Sequence, residues 1–157
     1  MKTSIRKGFS FGLTSGVITT LGLITGLSSS TQSKFIVMGG IISIAIADAL
    51  SDALGIHISE ESENMHTTRE IWESTISTFL SKFIFAITFI IPVLFFPLNL
   101  AVLISTGWGL LLIAVFSYRI AITQHVSPYI VILEHLTITL IVVMATNWVG
   151  SIIASFF

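Results

Sequence analysis

The chain has no cysteine, only 10% charged residues, three prolines and two tyrosines among 157 positions. The missing thiols exclude disulfides and thiolate metal sites together, leaving oxygen and imidazole groups to carry any metal chemistry. Soluble domains usually have about a quarter of their residues charged, so the shortage of charge excludes a soluble fold of ordinary composition. A formal net charge of −1 also removes the basic surface that nucleic acid would need. What is present is apolar, 54% of the chain. A helix needs about 20 apolar residues to cross the hydrocarbon core. The composition therefore predicts an all-α, polytopic integral membrane protein whose first partner is the lipid bilayer.

Five stretches meet that length, at 9–27, 35–56, 76–96, 100–118 and 129–156, forming one transmembrane domain over residues 1–157. The first follows basic residues as a signal peptide would, but it lacks an A-x-A-like cleavage site and reads as a retained span. Pro97, Leu98 and Asn99 predict a tight turn that makes the third and fourth spans antiparallel neighbours. Residues 124–128 separate the last two spans. With the N-terminus in the cytoplasm, Lys2, Arg6, Lys7, Arg69, Lys82 and Arg119 all fall at or near cytoplasmic ends, and only Lys34 lies outside. An odd number of spans then puts Phe157 on the far side. A short chain of this kind suggests a prokaryotic plasma membrane.

Asp48 and Asp52 lie inside the second span at i, i+4, so both carboxylates project from one helix face about a turn apart. Ionisable groups at membrane depth cost several kcal/mol by most estimates, and such pairs point to a metal or proton site. Two neighbouring carboxylates in a low-dielectric site resist ionising together. An empty site should hold at least one proton, which a bound divalent cation would displace. The alternative is a structural role, with either aspartate bonded to Ser or Thr on a neighbouring helix or paired with a base.

The longest hydrophilic stretch, 59–74, reads SEESENMHTTREIWES and is a cytoplasmic linker on this topology. As a single helix it would put Glu60, Glu63, His66, Glu70 and Glu73 on one face beside Met65, either as metal-gathering ligands or as a solvated stripe. Glu63 to His66 also matches the E-x-x-H element of di-iron proteins, in a single copy where those sites use two. In the fifth span Glu134 is a candidate proton relay next to His135, or else an ion-pair partner for Arg119; His57, at an interfacial helix end, reads as solvated. Gly8, Gly12 and Gly16, then Gly22 and Gly26, recur at four-residue spacing, predicting close packing of the first helix on a neighbour or a symmetry mate. Pro92 predicts a kink, since it leaves the Thr88 carbonyl without its helical donor.

The segments GFSFGLTSGVITTLGLITGL at 8–27 and ADALSDALGIHISEES at 47–62 resemble the first two helices of the vacuolar iron transporter family, and most closely its short prokaryotic members. The resemblance is most specific in the second helix. It implies a homodimer that exchanges Fe(II) or a related divalent ion for protons along a route between the first helices of two subunits. Transporting members of that family carry an acid near the position of Ser15 and a methionine where this chain has Asp52. They also have a larger cytoplasmic metal-binding domain in place of residues 59–74. The resulting expectation is a proton-coupled exporter of Fe(II) or Mn(II), with Asp48 and Asp52 as transport ligands and no permanently bound cofactor. The competing expectations are a non-transporting membrane scaffold or regulator with the same fold, and a membrane di-iron oxidoreductase using Glu63, His66 and Glu134.

Overall fold

The computed structural model describes residues 2–156. Six helices follow in order: α1 (Thr3–Thr31), α2 (Lys34–Ser62), α3 (Thr68–Thr88), α4 (Ile90–Phe95), α5 (Leu98–Gln124) and α6 (Pro128–Phe156), with no strand among the described residues. α3 and α4 form one apolar stretch, so five segments are long and apolar enough to cross a membrane. Each expected span is present, with its helix extended into polar flanks. Phe157, expected on the far side of the bilayer, lies outside the described residues.

Local chemistry explains the breaks. Pro92 has no N–H to return to Thr88, and the helix is interrupted at Phe89, whose own N–H bonds back to the Ala86 carbonyl at 3.2 Å. Pro97 is the N-cap of α5, so Leu98 and Asn99 are already helical and the turn is shorter than the three residues expected. A proline at a helix start has its φ preset and lacks only a donor that would go unpaired. Thr67 opens α3 with a capping box, its hydroxyl accepting from the Glu70 N–H while the Glu70 carboxylate accepts from the Thr67 N–H.

The chain forms two compact units, Met1–Thr20 with Ile41–Ile90 and Leu21–Gly40 with Ile91–Phe157. In the first, α1 lies directly on α3. A Cβ on Gly8 would fall on the Ser74 carbonyl, one on Gly12 would fall on the Ser81 hydroxyl and the Thr78 carbonyl, and one on Gly16 would press on Lys82. Small residues let two backbones come this close without lipid between them. The hydroxyls buried in the contact are satisfied within their own helix, Thr78 donating to the Ser74 carbonyl and Ser81 to that of Ser77. Along α2 the buried face is Ile41, Ala45, Ala49 and Ala53, again at four-residue spacing.

In the second unit, Gly22 and Gly26 of α1 meet Thr146 of α6, and the Thr25 and Thr146 hydroxyls are 2.8 Å apart. A Cβ on Gly150 would fall on the Gly26 carbonyl, and one on Gly109 of α5 would strike Leu21. All five glycines of α1 thus pack against helices of the same chain.

The depth of the α1–α3 contact is testable. Gly8→Ala should lower the melting temperature of the detergent-solubilised protein by several degrees, a loss on the order of 1–3 kcal/mol for overpacking. Gly107→Ala, whose Cβ meets nothing within 4 Å, should leave it unchanged or slightly higher. Equal melting of Gly8→Ala and wild type would mean that the two backbones do not approach this closely.

Candidate functional site

The four-residue spacing of Asp48 and Asp52 puts both carboxylates on the α2 face that turns toward Lys82 of α3. The Lys82 ammonium lies 2.5 Å from an oxygen of each, and it donates to the Ser15 hydroxyl at 2.9 Å. Ser15 in turn donates to the same Asp52 oxygen at 2.7 Å. The contact with Asp48 is a charge contact outside hydrogen-bond geometry, which leaves Asp48 Oδ2 without a hydrogen-bond partner. The Lys82 side chain is 2% exposed, whereas those of Asp48 and Asp52 are 29% and 21% exposed. The anions therefore border the surface of the chain and the cation sits behind them.

α3 begins at Thr68, so Lys82 sits about 21 Å along the helix from its first residue. Fully ionised, the three groups sum to −1, and Lys82 provides the compensating cation that the aspartates would otherwise take from a proton or a metal. Gly16 makes this placement possible, because a Cβ there would come within 3.0–3.1 Å of the Lys82 backbone and side-chain stem. The sequence did carry a signal for this residue: a lysine inside an apolar run has to find its counter-charge within the bundle.

Residues 59–74 do not form one helix. α2 continues to Ser62, Asn64 adopts a left-handed conformation with φ of 52°, and α3 starts at Thr68. The expected stripe is consequently divided. Glu60 is buried, 2.5 Å from the Lys7 ammonium and 3.2 Å from His66 Nε2, which also lies 3.2 Å from Glu63. Glu70 is occupied as the helix cap. Glu73 accepts from Lys2 at 2.6 Å, Ser4 at 2.8 Å and Arg69 at 3.0 Å. Met65 is 82% exposed. His57 is half-buried rather than solvated, with Nδ1 3.0 Å from the Thr75 hydroxyl and its ring edge-on to Trp72.

In the second unit Glu134 and Arg119 are both exposed and no ion pair joins them; His135 instead meets the Ser117 hydroxyl at 2.8 Å. Among the described residues no group of three His, Asp or Glu side chains is arranged to hold a metal ion. The Asp48–Asp52 pair supplies two carboxylates, with the Ser15 oxygen beside them.

Residues 7–73, less than half of the chain, match the model of the VIT family. The match spans α1, α2 and the first turns of α3, so it contains Ser15, Asp48 and Asp52 and ends before Lys82. Members of that family are metal-ion transporters rather than enzymes. No curated protein matches the chain.

The mutual dependence of the three charges can be checked by melting. Replacing both aspartates, Asp48→Asn with Asp52→Asn, leaves a buried ammonium without an anion and should cost about 3–5 kcal/mol. Adding Lys82→Met to that pair should restore most of the loss. If the triple variant melts as low as the double, the ion pairs are not what holds these helices.

Proposed function

We propose that this chain, whose residues 7–73 match the VIT family, carries a divalent transition-metal ion, Fe(II) or Mn(II), across a membrane in exchange for protons, through Asp48 and Asp52. The observation that carries this reading is the partial exposure of two carboxylates, one turn apart, on an apolar membrane helix inside the family match. Carboxylate and hydroxyl oxygens suit hard and borderline divalent ions in the absence of thiols. The basic residues Lys2, Arg6, Lys7 and Arg69 flank one end of the helices, which supports an N-terminus in the cytoplasm and export as the direction. A prokaryotic plasma membrane suits this orientation.

A homodimer belongs to the same reading. Within the chain half of the α1 apolar stretch is buried, against 22% of that of α2. Ser43, Ala47, Ser51 and Gly55 form an exposed four-residue repeat on α2, and a Cβ on Gly55 would meet nothing within 4 Å. With the α1 glycines already covered by α3 and α6, the small-residue repeat of α2 offers a second copy a surface for close approach. A second copy seated there would face the aspartates. Ala47→Leu with Ser51→Leu should then convert dimer to monomer, by light scattering in detergent, at unchanged helix content. A mass unaffected by the two leucines would remove α2 from the interface.

A second reading, a non-transporting scaffold, is favoured by the Lys82 ion pairs, which give both aspartates a counter-charge without any metal. Proteoliposomes decide between them. Under an imposed pH gradient the wild type should accumulate Fe(II) or Mn(II), and Asp48→Asn or Asp52→Asn should slow uptake by about tenfold or more, as loss of a ligand does. Single cysteines at Asn64 and Ser155 should label from opposite sides. No gradient-driven uptake by correctly folded wild type would favour the scaffold.

A further inference from the structure

We infer that Lys82 is a tethered competitor for the transported ion: its ammonium occupies the position between Asp48 and Asp52 that a divalent cation has to take, and the cation binds only by displacing it. This rests on the proposed use of the two aspartates as transport ligands. Three features of the structure support it. The ammonium is the point at which oxygens from two helices converge, Ser15 of α1 and Asp48 and Asp52 of α2, with α3 supplying the lysine itself. Its oxygen partners lie at 2.5–2.9 Å, close to the range at which oxygen ligands surround a metal ion. Two cations cannot share that position, both for lack of space and because like charges at contact repel in a site of reduced dielectric.

The lysine is also held where it can leave without unfolding the bundle. Its backbone and first side-chain carbons are pinned against Gly16, while the outer bonds of the four-carbon stem remain rotatable. Swinging the ammonium aside changes the charge presented to an incoming ion from −1 to −2, which matches a divalent cation. A monovalent ion gains less from the exchange. Lys82 is thus a specificity-determining residue that raises the threshold for occupancy and sets a charge requirement.

The test is Mn(II) binding to the purified full-length chain in detergent, followed by the loss of the free-ion electron paramagnetic resonance signal. Lys82→Met keeps the length of the stem and removes the charge, and it should bind Mn(II) roughly tenfold more tightly or better than wild type. Lys82→Arg should stay close to wild type, and Lys82→Met with Asp52→Asn should lose the gain. A structural role for Lys82 would give weaker binding on its removal, never tighter. Lys82→Gln carries the same expectation as Lys82→Met should methionine disturb folding. Affinity unchanged or weaker in a neutral variant of normal helix content overturns the inference, as does an equal gain with arginine. If wild type still takes Mn(II) into liposomes in that event, the transport reading stands without the tethered cation. If neither wild type nor a neutral variant binds or moves Mn(II), both fall.

Discussion

A lysine ammonium buried among apolar helices has to be given anions, and in this chain that requirement organises the first compact unit. Burying such an ion costs several kcal/mol even after relaxation. Asp48, Asp52 and Ser15 offset the cost, and they come from the two helices that precede α3 in the chain. The register in which α1, α2 and α3 meet is therefore chosen by charge as well as by shape. The glycine ladder of α1 works in the same direction. Gly16 rests on Lys82 itself, so the close approach that Gly8 and Gly12 permit further along the helix also sets the depth at which the ammonium faces α2.

The charges nearer the ends of these helices follow the same pattern at lower cost. Glu60 is buried but meets Lys7 and His66, and Glu73 gathers Lys2, Arg69 and the Ser4 hydroxyl. Two of these contacts tie α1 to its neighbours, Lys7 to Glu60 of α2 and Ser4 to Glu73 of α3. A run of acids that reads in sequence as a reservoir for cations is in the fold a set of local ion pairs, with Glu70 spent on a helix cap. Partly exposed pairs of this kind contribute modestly to stability. Their larger effect is to leave little free negative charge at the turn, which concentrates the unusual electrostatics of the unit on the aspartate pair.

Most of the architecture was legible in the residues. Five apolar runs gave five spans because apolar length is what a bilayer selects, and the four-residue glycine spacing marked the surfaces by which α1 packs. Three features were not legible, for separate reasons. The stripe on residues 59–74 assumed an uninterrupted helix, whereas the chain reverses at Asn64 and the five residues lie on two helices and a turn. The partners of Lys82 were not legible, because a lysine in an apolar run says that a counter-charge is needed and not which helix supplies it. Glu134 was offered Arg119 as an ion-pair partner, whereas the polar contact across these helices is made by its neighbour His135 with Ser117 of α5. In each case the missing information was tertiary: which side chain faces which.

The division of the site along the chain bears on how the proposed transport is controlled. The anions and Ser15 lie within the stretch matched by the VIT family, and the cation that neutralises them comes from the remainder of α3. Asp48 and Asp52 are each more than a fifth exposed while Lys82 is almost wholly enclosed, so an ion approaching from the open side meets carboxylates first and the ammonium last. Attraction draws it in and repulsion opposes its final step. Binding then depends on the difference between two large electrostatic quantities, and a small change in the position of one ammonium, held by the contact of Gly16 with the α3 backbone, is enough to move that difference in either direction. A site built this way can remain closed to cations at rest without any moving gate, its closure stored in an ion pair that a better-matched charge can break.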